Sequence, residues 1–250
     1  IRWHSRKSKN GGIDSGAGNS DADIGGKENE AEQGDLLAKE LERRGVRKLD
    51  AVFISHRDYD HVGNLKKLSE YIEIDRIYCS YKKDGTIPIE YFDERLEEKI
   101  VCLNTGDEIS ACDNKVNIRI IDAGKYDSED ANSDAMILVL DYGLKILFTG
   151  DRKVSDFPDL REVGDLDILK VAHHGSKTGT GKDVLESITP EIALISCGMG
   201  NMYGHPHKSV IDNLEKNSIN IYRTDFDGTV ELKLLKSILG EQYLSVKTTY

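Results

Sequence analysis

The nine residues Ser55–Gly63, SHRDYDHVG, place two histidines and two aspartates within six positions, directly after the apolar run Ala51-Val52-Phe53-Ile54. A short apolar run that turns abruptly polar reads as a buried strand reaching its end. The strand end fixes the backbone, and the turn after it aims successive side chains at one region. Imidazole nitrogen and carboxylate oxygen are ligands that divalent transition metals accept, so His56, Asp58, Asp60 and His61 are candidate metal ligands. The competing reading is a polar turn that caps the next helix through Asp60 or Asn64. Capping requires one such residue, whereas this turn holds four.

Three later segments repeat the form. KILFTGD stops at Asp151, ILKVAHHGS stops at His173 and His174, and NMYGHPH supplies His205 and His207. Six of the seven histidines therefore fall in these segments, with His4 the exception. Taken singly, Gly150-Asp151 also reads as an ordinary turn and Gly204-His205-Pro206 as a loop corner. Taken together, the segments read as one metal site assembled from distant parts of the chain.

Composition limits the alternatives. The chain has 250 residues, 38% hydrophobic and 32% charged, enough for one sizeable core, and we expect a single domain over 1–250. A net charge of −11 disfavours a surface that holds nucleic acid mainly by phosphate neutralisation, although bound cations would supply positive charge locally. No apolar run approaches the roughly 20 residues needed to cross a bilayer, and no signal-like segment opens the chain. The four cysteines lack Cys-x-x-Cys spacing, so they read as buried small side chains or one disulfide rather than a thiolate metal site.

Residues 7–35 are rich in Gly, Ser, Asn and charge and read as loops. Beyond them, helices are expected at Asp35–Gly45, after the first cluster (Leu65, Leu68, Tyr71, Ile72), and over Glu90–Lys99, Lys182–Ile188 and Lys208–Lys216. Strands are expected at Arg76–Cys79, Val116–Ile120, Met136–Leu140, Lys145–Phe148, Leu166–Val171, Ile192–Ser196, Ile219–Tyr222 and Val230–Leu234, with a hairpin turn at Asp141-Tyr142-Gly143. Mixed strands and helices with hairpins predict sheets covered by helices.

SHRDYDHVG, LFTGD, LKVAHHGS, YGHPH and YRTDFDG, in this order and spacing, resemble the metallo-β-lactamase superfamily, and more narrowly the hydrolase domain of ComEC-type DNA-uptake competence proteins. The resemblance runs from about Ile13, where GGIDSG resembles the family's Gly-rich segment, to about Leu232. It implies an α/β fold, an αββα sandwich of two mixed sheets with helices outside, and a site for two divalent ions, zinc or manganese, at one edge. Carried over by position, His56 and Asp58 would hold the first ion, Asp60 and His61 the second. Asp151 would bridge them and His174 would complete the second set, with the adjacent His173 the alternative ligand at that place. His173 would stand behind the ligands or stabilise the transition state, His205 would donate to a phosphoryl or carbonyl oxygen, and His207 would face helix entry or solvent. The chain departs from the superfamily in having Asp58 where histidine is usual, and in lacking histidine in Asn132-Ser133-Asp134-Ala135. IRWHS matches the family's second strand, so the first strand would be missing.

The resemblance implies hydrolysis by a hydroxide shared between two cations and oriented by Asp60 or Asp151. The leading expectation is a metal-dependent phosphodiesterase, a nuclease acting on DNA. The alternatives are a same-fold hydrolase of a small ester, lactone, lactam or phosphorylcholine-type diester, and a metal-stabilised binding module without turnover. As a stand-alone enzyme the chain would be cytoplasmic; as part of a ComEC-like channel protein it would face the DNA entry side.

Overall fold

The structure, a computed structural model, describes residues 2–3, 37–126, 129–236 and 242–249. In chain order its first part holds β1 (Arg2–Trp3), α1 (37–43), β2 (Lys48–Leu49), β3 (Val52–Phe53), α2 (Tyr59–Val62), α3 (Leu65–Ser69), β4 (Glu73–Ile74), β5 (Ile77–Ser80) and β6 (Ile100–Leu103). Then come β7 (Glu108–Ala111), β8 (Val116–Asp122), β9 (Ile137–Asp141), β10 (Lys145–Phe148), β11 (Ile168–Lys170), α4 (Lys182–Ile188), β12 (Ile192–Ile195), α5 (Lys208–Lys216), β13 (Asn220–Arg223), α6 (Thr224–Asp227), β14 (Val230–Lys236) and β15 (Gln242–Thr248). The expected loops over 7–35, including GGIDSG, lie outside the described residues.

One layer is a seven-stranded mixed sheet in the order β13-β12-β11-β10-β9-β8-β7. The opposing layer is made of the parallel trio β3-β5-β6 and the antiparallel trio β1-β14-β15, with a small β2-β4 pair beside them. Side-chain alternation assigns the four layers. Phe53, Tyr78 and Val101 pack against Ile118, Ile120, Leu138 and Phe148, and Val230, Leu232, Leu244 and Val246 pack against Ile146, Ile168, Ile192 and Leu194. The residues that alternate with these point outward. Val52, Ile77 and Cys79 lie under α1 and α3, and Ile137, Leu147, Leu169, Ala193 and Ile195 lie under α4 and α5. This is the αββα sandwich.

The central strands β9 to β12 are covered on both faces, which is why they read as near-continuous apolar runs rather than as alternation. Asp141-Tyr142-Gly143 is the expected hairpin turn, with Gly143 at φ +71° and β9 antiparallel to β10. Residues 90–99 differ from expectation. They form two 3-10 turns, Ile89–Tyr91 and Glu94–Lys99, and Leu96 is the one buried side chain of the second. A single apolar anchor gives no amphipathic face to hold a longer helix.

Strands β10, β11, β12 and β13 run parallel, so their C-terminal ends share one edge. The end of β3 joins that edge, because Met136 N, just before the antiparallel β9, donates to Ser55 O at 2.9 Å. Ligand sites of open α/β sheets form outside such carboxyl ends. All four cysteines are free thiols, and Cys79 and Cys197 are buried.

Candidate metal centre

Every segment singled out in the sequence leaves this edge. The Ser55–Asp60 turn follows β3 into α2, Asp151 follows β10, His173 and His174 follow β11, and residues 198–207 follow β12. Local backbone features make the convergence possible. Gly150 sits at φ +51°, and a Cβ there would come within 2.9 Å of Ala135 Cβ and 3.1 Å of Ser55 Cβ. Three segments therefore meet where only hydrogen fits. His173 and His174 adopt φ of +47° and +53°, a conformation that costs roughly 1–3 kcal/mol per non-glycine residue. The turn is held by His173 N to Gly150 O (3.1 Å), Ser176 N to His173 O (2.7 Å) and His207 N to Gly175 O (2.9 Å).

The result is that Asp60, His61, Asp151 and His174 each offer one ligand atom, all within 4.8 Å of one another. The closest approaches are His61 Nε2 to Asp151 Oδ1 at 3.4 Å, His174 Nε2 to Asp151 Oδ2 at 3.5 Å, His174 Nε2 to Asp60 Oδ2 at 3.6 Å and His61 Nε2 to Asp60 Oδ2 at 3.7 Å. These are too long for good hydrogen bonds. Two atoms bound tetrahedrally to one ion at about 2.0–2.1 Å stand about 3.3–3.4 Å apart. The spacing therefore fits a shared divalent ion better than direct pairing. His61 Nε2, His56 Nε2 and Asp151 Oδ1 are shielded from solvent and make no hydrogen bond among the described residues. Buried polar atoms without partners are rare and point to a further partner such as an ion.

The imidazoles are oriented from behind. His174 Nδ1 lies 2.8 Å from Ser196 O, which fixes the proton on Nδ1 and leaves Nε2 its lone pair. Ser55 Oγ lies 3.0 Å from His56 Nδ1 and 3.1 Å from His61 Nδ1. Burial by itself raises the Asp60 carboxyl, yet the neighbouring imidazoles of His174 and His61 outweigh it and hold it below the usual range. The same contest, burial against His61 and His174, leaves Asp151 well below its ordinary value. Both remain anionic, as ligands must.

The other expected residues surround this nest. His56 Nε2 and Asp58 Oδ2 are 3.5 Å apart, a pair beside the nest rather than part of it, with the His56 side chain 1% exposed and Asp58 45%. The loop without histidine, 132–135, packs against Ser55 and Gly150 through Ala135. His173 Nε2 stands 3.7 Å from Asp151 Oδ2, and its ring lies 5.6 Å from that of His205. Burial, then the charges of His173 and His207, push His205 down to about 4. His207 sits at the start of α5 and accepts from Lys177 N at 3.3 Å.

Several contributors were not legible beforehand. Besides Ser55 and Ser196 they include Asn201, whose amide brackets His205 (Oδ1 accepts from His205 N at 2.9 Å, Nδ2 donates to His205 O at 2.6 Å). Arg152 is buried beside Asp151, pairs with Asp122 at 3.1 Å and donates to the Ser133 carbonyl, tying the 132–135 loop to the end of β10. Ser55 and Asn201 lie inside stretches singled out for their histidines and Arg152 directly follows one, but nothing in their residue types marks these roles.

A parallel-edged αββα sandwich with this Asp/His nest belongs to a known class. Residues 13–199 match the metallo-beta-lactamase superfamily, and the chain belongs to that family. Among particular proteins, it is similar to ComE operon protein 3 of Bacillus subtilis (28% identity over 217 residues, 79% of this chain and 26% of the relative). It is also similar to Recombination protein 2 of Haemophilus influenzae (28%, 83% and 25%) and to Competence protein ComA of Neisseria gonorrhoeae (27%, 86% and 29%). The chain thus spans about a quarter of the length of these relatives. The resemblance to ComEC-type proteins read from the motifs is therefore upheld. Among solved structures, CmlA, a diiron beta-hydroxylase from Streptomyces venezuelae, shares the fold, with TM-score 0.52 at 11% identity, covering 71% of this chain and 44% of that one.

Proposed function

We propose that the chain is a metal-dependent phosphodiesterase that cleaves DNA. The observation that carries the metal-centred part is the nest itself, four ligand atoms from three separate loops, all within 4.8 Å of one another. Likeness to proteins named for competence and recombination supports DNA as the substrate. In this reading Asp60, His61, Asp151 and His174 hold one divalent ion, and His56 with Asp58 contributes to a second. Such ions lower the pKa of water toward neutrality and offset the charge that develops on a phosphoryl group. Ser55 and Ser196 keep the imidazoles aimed. The Asp60 carboxylate accepts a hydrogen bond from the attacking water and so orients it. His173 and His205, both depressed chiefly by burial, are neutral at pH 7 and donate an uncharged N–H toward the phosphoryl oxygens.

A second reading is favoured by one feature. Four protein ligands close a tetrahedral set, as structural sites do, so a metal-stabilised module without turnover also fits. One experiment separates the two. Protein stripped with a chelator is reloaded with manganese, zinc or magnesium and assayed on single-stranded DNA, methyl p-nitrophenyl phosphate and a cephalosporin, alongside metal analysis. The phosphodiesterase reading expects cleavage of the first two, lost on chelation and in Asp151→Ala. Full cleavage in excess chelator would overturn it, and stoichiometric metal with no cleavage would support the structural module.

A further inference from the structure

The edge that carries the nest also carries exposed apolar surface. Tyr59 (49% exposed), Met199 (49%), Met202 (65%), Tyr203 (45%) and Phe226 (74%) all lie on segments leaving the ends of β3, β12 and β13. Scattered apolar side chains need no explanation, but five on segments that leave the same edge as a polar site point to something that packs there.

Two of the five are held in place. Tyr203 lies against His205, centroids 5.8 Å apart and planes 27° from parallel. His205 in turn lies 5.6 Å from His173, so rings run in file from the carboxylates to the surface. Phe226 is the most exposed ring of the set, yet the backbone on both sides of it is fastened. Arg223 grips Asp225 through Nε (3.0 Å) and Nη2 (2.6 Å), Arg223 N donates to Asp227 Oδ2 (2.7 Å), and Thr224 Oγ1 accepts from Cys197 N and donates to Cys197 O at 2.8 Å each.

The charge of the chain narrows what could bind. A net charge of −11 disfavours holding a polyanion chiefly by phosphate neutralisation. Stacking of bases on aromatic rings does not depend on charge and tolerates any sequence, since every base has a π face. Bases in a duplex are already stacked on each other, and only an unpaired strand has faces to offer. Resting on the phosphodiesterase reading above, we infer that Tyr203 and Phe226 form a base-stacking platform and that the substrate strand is single-stranded DNA.

The test uses the metal-loaded protein with an intact single strand, the same strand carrying abasic sites, and its duplex. The intact single strand is expected to give the lowest KM. Phe226→Ala and Tyr203→Ala should each raise it about five- to twentyfold, the low end for base stacking on one exposed ring. Phe226→Trp should restore it, and the effect should vanish on the abasic strand. Tyr243→Ala, an exposed tyrosine on β15, should change nothing. A phosphorothioate strand containing 2-aminopurine gives a second readout, fluorescence quenching on binding that weakens in Phe226→Ala. Equal KM for intact, abasic and duplex DNA, or alanine variants that match wild type on the intact strand, would overturn the platform. If the protein hydrolyses neither DNA nor methyl p-nitrophenyl phosphate, the phosphodiesterase reading fails, and the quenching alone decides: its presence and loss in Phe226→Ala support stacking, its absence rejects it.

Discussion

A single hydroxyl, Ser55 Oγ, lies within 3.1 Å of Nδ1 on two imidazoles, those of His56 and His61. A serine oxygen has two lone pairs and one proton. For both histidines to present a bare Nε2, both Nδ1 atoms must carry their protons and donate to Oγ. If the hydroxyl instead gave its proton to either ring, that ring would hold its own proton on Nε2 and be useless as a ligand. In the proposed reading Ser55 would therefore orient two candidate ligands at once without touching an ion. Ser55→Ala should weaken manganese or zinc binding about 10- to 100-fold, the usual cost of losing an orienting partner, measured by competition with a chromophoric chelator. Unchanged affinity with intact circular dichroism would reject this role.

Among the elements, the turn after β11 carries the most constraint. Gly175 has φ +84°, and a Cβ placed there would lie 2.5 Å from Pro206 Cβ, so the His173–His174 turn and the Gly204–His207 loop touch backbone to backbone. Gly175→Ala should destabilise the fold by more than about 1 kcal/mol and lower metal affinity along with it, read by thermal melting and the same competition assay. A variant with wild-type melting and binding would mean the turn is more pliable than its contacts suggest. This junction also marks how far the sequence can be read. The apolar runs of β9 to β12 and the histidines and aspartates at their ends were legible because burial on both faces and metal-ligand chemistry each restrict residue choice. Strands β6, β7 and β15 were not. Ile100–Leu103 is a brief run behind a charged stretch that resembles helix, and Glu108–Ala111 and Gln242–Thr248 are, among the described residues, edge strands, each paired on one side, with half-exposed, mixed polarity. Ser55, Ser196, Asn201 and Gly150 were illegible as site residues because their roles come from tertiary contacts, which residue type alone does not encode.

For the molecule as a whole, the crowded histidines set how stability follows pH. In metal-free protein His205 has its pKa lowered from 6.5 to about 4, by burial first and then by His173 and His207, and His173 is lowered too, again chiefly by burial. Between about 6.5 and 4 the unfolded chain therefore binds more protons than the folded one, and stability rises with pH. The contribution is fully present above 6.5 and is lost as pH falls toward 4. The carboxyls of Asp60 and Asp151, lowered from 3.8, lose theirs only in more acidic solution. Melting temperature of the chelated protein should fall from pH 7 to pH 5, and His205→Gln should flatten that slope; an equal slope in the variant would show that other groups dominate. The origin of the ligands has one more consequence. Asp60 and His61 come from the end of β3, in one layer, while Asp151 and His174 come from β10 and β11, in the other. A cation gripped by all four would work as a rivet through the sandwich. Amide hydrogen exchange at Ile54 and at Leu147–Phe148 would then slow together on loading, although those amides belong to ladders that share no strand.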